Sequence, residues 1–180
     1  MKRILLLLFL FGITTNIVFS QESDNFRLSG TVEHFSLGSD NQLMFGLNGE
    51  LFLSEKFSLN YKYTMGVNKD GDFVYHTPAG AIGVYFIDIW ELMVFSVMIP
   101  EGVSYHQYPN KWLEVSPYLN PLGCEYNSNY NNLNLSCTAG VKLHIKADKF
   151  NFSPNVGVLY LYGHNDPSLN LGLSVGYLLN

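Results

Sequence analysis

The chain is short of charge. Asp, Glu, Lys and Arg make up 14% of its 180 residues, against about a quarter in soluble domains. Positive charge is the scarcer sign: ten basic side chains face fifteen acidic ones, a formal −5. That balance excludes a nucleic-acid partner, because phosphate neutralisation needs a Lys/Arg surplus on one face. Cysteine is limited to Cys124 and Cys137, and the five histidines (His34, His76, His106, His144, His164) show no His-x-His spacing. No metal site and no cofactor are therefore expected. No stretch carries a convincing amphipathic-helix period, and no uninterrupted polar tract occurs. With 47% hydrophobic residues, twelve Tyr and thirteen Phe, a disordered chain is excluded as well. The length suits one domain.

Part of the apolar content belongs to the N-terminus. Lys2 and Arg3 precede an apolar run over 4–13, and Val18-Phe19-Ser20 sets small or medium residues before Gln21. This is the pattern of a cleaved secretory signal over residues 1–20, with a single barrel domain expected over 21–180. A membrane anchor is the competing reading, but the run falls short of the ~20 residues that a spanning helix needs. Without Lys2 and Arg3, eight basic side chains face fifteen acidic ones, a formal −7. The mature chain is acidic and exported.

Beyond residue 20 the sequence alternates with period two, the signature of strands with two different faces. Phe57, Leu59, Tyr61, Tyr63, Met65 and Val67 oppose Ser58, Asn60, Lys62, Thr64 and Gly66. The same holds over 133–145 and 169–179, and less cleanly over 26–37, 43–53, 79–88, 93–99, 103–108, 113–126 and 150–162. That makes ten strands, or eight if the region 86–108 is irregular. Three short turns pair Lys with an aromatic: Lys56-Phe57, Lys111-Trp112 and Lys149-Phe150. The other connections, 38–42, 68–72, 127–132 and 163–168, are polar and rich in Gly, Asn and Asp. Tight turns at one end and looser loops at the other are what a transmembrane β-barrel shows. The segment Asn68-Lys69-Asp70-Gly71-Asp72 lacks the downstream Glu of a calcium loop and reads as a hairpin loop.

Which face is outside decides between two barrels. A soluble, lipocalin-like barrel binding an apolar ligand would carry many Lys and Glu outward. Here the polar face is mostly Ser, Asn, Thr and Gly, which suits the crowded interior of a narrow barrel. Its few charges, Glu50, Lys62, Glu114, Lys142 and His144, are mixed in sign as an internal polar network requires. Tyr61, Tyr63, Tyr160, Tyr162 and Tyr177 on the apolar faces, with Phe57, Trp112 and Phe150 beside turns, suit aromatic girdles at a membrane interface.

On this pattern of signal peptide, alternating strands, tight turns and a final amphipathic strand, residues 26–180 resemble the small outer-membrane β-barrels of Gram-negative bacteria, the OmpA/OmpX type. The resemblance implies an antiparallel up-and-down transmembrane barrel in the cell outer membrane. It implies outer-membrane lipid and the barrel-assembly machinery as partners, and a monomer without enzymatic residues. One departure stands out: such chains usually end in an aromatic residue, whereas this one ends Tyr177-Leu178-Leu179-Asn180.

Two further features carry chemistry. If 127–132 is a hairpin loop, symmetric pairing sets Cys124 opposite Cys137, and export permits a disulfide. The parity of Cys124 then needs a bulge near Pro117 or Pro121, and two reduced, buried thiols are the alternative. Lipid A deacylases are small barrels with a His-x-Ser-Asn stretch near the last strands. In this chain His164 is followed by Asn165-Asp166-Pro167-Ser168, so the two groups do not share a strand face and the motif fails.

Overall fold

The structure is a computed structural model that describes residues 26–37, 40–68, 70–78, 99–127, 132–162 and 167–179. The expected signal segment, and the expected strands at 79–88 and at 93–99 except for Ile99, lie outside the described residues. Among the described residues, ten antiparallel strands form one closed sheet: β1 (Phe26–Leu37), β2 (Asp40–Ser54), β3 (Phe57–Val67), β4 (Phe73–Pro78), β5 (Gly102–Tyr105), β6 (Gln107–Asn110), β7 (Leu113–Asn127), β8 (Asn132–Ala147), β9 (Phe150–Leu161) and β10 (Ser168–Leu179). Neighbours pair up and down in chain order, and β1 pairs with β10 to close the ring.

Seven strands run the height of the wall. The eighth stave is composite. Above, β4 pairs with β3 through Val67↔Phe73 and Thr64↔His76; below, β5 pairs with β3 through Asn60↔Gly102 and Phe57↔Tyr105. β6 continues the lower piece along β7, where Gln107 faces Val115 and Asn110 faces Leu113. The barrel is thus eight-stranded in circumference, with one stave built from three short strands. β4 escapes the period-two reading because its six residues end on Pro78, and 103–108 reads poorly because β5 and β6 are separated at His106.

Among the described residues, four turns are held by local chemistry. Ser54 Oγ accepts from the Phe57 amide at 3.2 Å, and Asn110 Oδ1 from the Leu113 amide at 2.9 Å. Asp148, with φ of 56°, takes the left-handed position in the third tight turn. At the opposite end Asn68 Oδ1 accepts from the Asp72 amide at 2.8 Å, and Gly71 supplies a φ of 84°. The 68–72 stretch is therefore a hairpin loop between β3 and β4. The tight turns and both chain ends of the barrel share one rim, the periplasmic one by the usual arrangement of such barrels.

The wall has the polarity of a membrane barrel. Leu47, Met65, Val156, Leu171 and Val175 point outward and are 47–58% exposed. Ser, Thr, Asn, Glu and Lys point inward and are buried. A soluble barrel has the inverse arrangement, so the lipocalin-like reading fails on this point. Aromatics collect at the rims: Phe57 packs on Tyr105 with ring centres 5.2 Å apart and Phe150 on Tyr177 at 5.0 Å, while Tyr160 meets Tyr162 at 5.6 Å toward the loop end.

Candidate functional site in the barrel lumen

The lumen is layered. Its periplasmic third is built on Glu114, the second residue of β7, and Glu50, near the end of β2, both facing inward. Arg27, near the start of β1, bridges the two. Its guanidinium donates to Glu50 Oε2 at 2.7 Å and to Glu114 Oε2 at 2.8 Å. Lys142 Nζ donates to Glu50 Oε1 at 2.6 Å, and Lys146 Nζ lies 2.7 Å from Glu114 Oε2. His106 sets Nδ1 2.8 Å from Glu114 Oε1 and Nε2 2.8 Å from Ser58 Oγ. His144 places Nε2 3.6 Å from Glu114 and Nδ1 2.7 Å from Ser153 Oγ. Phe52 lies under the Arg27 guanidinium at 5.0 Å. In a site withdrawn from water each carboxylate is held by cations and hydrogen bonds together, the condition under which buried charge is tolerated.

Higher up, Lys62 Nζ meets Glu33 Oε2 at 2.8 Å. Beside this pair a cavity of about 10 Å³, bordered by Asn48, Asn60, Tyr118 and Asn155 among others, has room for about one water. Toward the loop end His76 Nε2 lies 2.9 Å from Glu101 Oε1. Phe35, Met44, Val74, Leu159 and Leu161 form an apolar cluster around the same level. Ions dominate the periplasmic end, while toward the loop end hydrocarbon surrounds the single His76–Glu101 pair.

Of the five network residues expected from sequence, the structure brings Glu50 to Lys142 directly and Glu114 toward His144. Lys62 lies apart from them and pairs with Glu33. Arg27, Glu33, His106, Lys146 and the His76–Glu101 pair were missed. Arg27 and Glu33 carried a usable signal, since they share the odd-numbered face of β1. His106 and Glu101 carried none, because both sit where the alternation is interrupted.

The symmetric register expected around the two cysteines does not hold. No disulfide joins Cys124 to Cys137. A bulge between Asn120 and Gly123 shifts the register, so that Cys124 faces Leu135. Cys137 is then a diagonal neighbour on the same face, at a spacing of about 7–8 Å between Cα atoms, beyond ordinary disulfide reach. The bulge does fall beside Pro121. Of the deacylase-like stretch, His164 lies outside the described residues and Ser168 is buried in the lumen. No group of three or more potential metal ligands occurs among the described residues.

The fold matches solved barrels. The N-terminal β-barrel domain of Pseudomonas aeruginosa OprF superposes with a TM-score of 0.55 at 15% identity, covering 87% of this chain and 98% of that one. The Yersinia pestis outer membrane protein Ail gives 0.47 at 11% identity over 86% and 99% of the two chains. A de novo designed transmembrane β-barrel gives 0.47 at 12% over 87% and 97%. No family model matches the chain, and no curated protein does. The protein has the fold of a small outer-membrane β-barrel of the OmpA/OmpX architecture.

Proposed function

We propose that the mature chain is a monomeric outer-membrane barrel with a structural or binding role, no enzymatic activity and no open diffusion pore. The observation that carries this reading is the filled lumen. The Arg27–Glu50–Glu114 network occupies one end and the Phe35–Met44–Leu159 cluster the other, which agrees with the side-chain-filled interior usual for eight strands. Export would use the signal over 1–20, insertion the barrel-assembly machinery, and outer-membrane lipid would cover the apolar wall. Binding, where it occurs, belongs to the polar loops rather than to the lumen.

The test is conductance. Purified barrel reconstituted into planar bilayers should leave the membrane at its background current from low to high salt. Stable single-channel steps in most insertions would overturn the closed-lumen reading. Unchanged lipid A acylation on overexpression is the expected result for a non-enzyme.

A further inference from the structure

The outer wall is notched over β2. The outward row of that strand runs Leu43, Phe45, Leu47, Gly49, Leu51 and Leu53, and at Gly49 it has no side chain. Gly49 has Leu28 of β1 and Tyr61 of β3 as its Cα partners. Phe26 leans across the gap, with Cζ 3.0 Å from where a Cβ would stand. Gly49 is therefore buried although it points outward, while Leu47, next in the row, is 52% exposed. The result is a groove of about 430 Å³ that runs over β2, between Phe26 and Leu28 on one side and Tyr61 and Tyr63 on the other. Its volume falls in the range of small-molecule sites, roughly 300–1,000 Å³, and no charged residue lines it.

Depth and charge say what the groove holds. From Gly49 to Ser54, the last residue of β2, a strand advances about 17 Å, which at a tilt of about 40° is about 13 Å of depth. One leaflet of the hydrocarbon core is about 15 Å thick. Gly49 thus lies where the acyl chains of the periplasmic leaflet end. At the rim below, the β2–β3 turn exposes two opposite charges side by side, Glu55 and Lys56. A head group that carries both a phosphate and a primary ammonium matches that pair. We propose that the groove seats one acyl chain of a phosphatidylethanolamine of the periplasmic leaflet, with its phosphate at Lys56 and its ammonium at Glu55. A chain lying there fills a notch whose lining otherwise lacks close contacts on one side. The seat rests on the reading that lipid covers this wall, and it holds whether or not the lumen conducts.

Native mass spectrometry of the protein in detergent micelles, titrated with palmitoyl-oleoyl phosphatidylethanolamine, tests the seat. The parent protein should retain one lipid. Gly49→Leu fills the groove and should retain it about ten-fold more weakly, because the chain loses the packing that sets the groove apart from bulk hydrocarbon. Gly30→Leu adds the same side chain at an outward glycine with nothing within 4 Å and outside the groove, and should bind as the parent does. Equal retention by Gly49→Leu and the parent overturns the proposal. Should Gly49→Leu not fold, head-group choice decides. The parent should prefer ethanolamine over choline lipid with the same chains, and Glu55→Gln combined with Lys56→Gln should remove that preference; a parent without preference overturns the proposal. Protein that folds into vesicles yet retains no lipid refutes the seat alone, whereas protein that stays in the aqueous phase refutes the membrane reading with it.

Discussion

Glu114 shows how much of this barrel hangs on single inward residues. Fully buried, it takes Arg27 at 2.8 Å, His106 at 2.8 Å and Lys146 at 2.7 Å, and accepts from Ser116 Oγ at 3.1 Å. Replacing it by Ala leaves Arg27 facing Glu50 alone and strands positive charge in the lumen. Breaking a buried pair from one side costs about 3–5 kcal/mol. Glu114→Ala should lose that much in urea unfolding from lipid vesicles, and a loss under about 1 kcal/mol would place the network in a wetter setting than its geometry indicates. Glycine matters in a different way at Gly157. A Cβ there would stand 2.6 Å from Ala139 O and against the Tyr118 hydroxyl. Gly157→Ala is therefore expected to cost about 1–3 kcal/mol by overpacking in the same assay. Residues of this kind were only partly legible in the sequence. Glu50 and Lys142 stood out as charges on otherwise neutral, alternating faces. Arg27 sat at the start of a weaker pattern, and Glu101 becomes inward only because the strand is broken. The register of Cys124 has the same root, since no residue near Pro121 announces how far its bulge displaces the pairing.

At the scale of the element, alternation carries nearly all the information, and it fails where strands are short. β1 and β3 have the bounds read from sequence, and β9 and β10 lie within one residue of them. β4 was hidden by its length of six residues and its terminal proline. The wall's polarity makes depth a measurable variable along each strand. Leu47 lies mid-strand in β2, opposite Tyr63, and is 52% exposed; Phe57 opens β3 beside the tight turn. Leu47→Arg should weaken folding into vesicles by about 2–4 kcal/mol, whereas Phe57→Arg should cost about 0–1 kcal/mol. Equal costs at the two positions, read from folding titrations, would contradict the placement of the hydrocarbon band.

For the whole molecule, closure is the property to test. A sheet with no unpaired edge keeps its hydrogen bonds in detergent, so unheated protein should migrate faster on a gel than boiled protein. Identical migration of the two samples would argue against a closed barrel in solution. The scarcity of charge belongs to this scale also: lipid solvates the outside, and the inside admits only charges that find partners.

The β1–β10 seam sets the order of events in assembly. Phe26 is the Cα partner of Leu179, so the first and last strands meet across almost the full described chain. Contacts of such sequence separation form late, because the loop they close is entropically costly. Until β10 arrives, β1 presents a row of unpaired amides and carbonyls able to recruit a strand from elsewhere. The nascent chain therefore passes through a stage with an adhesive edge, and its C-terminal strand is the part that ends its vulnerability to aggregation.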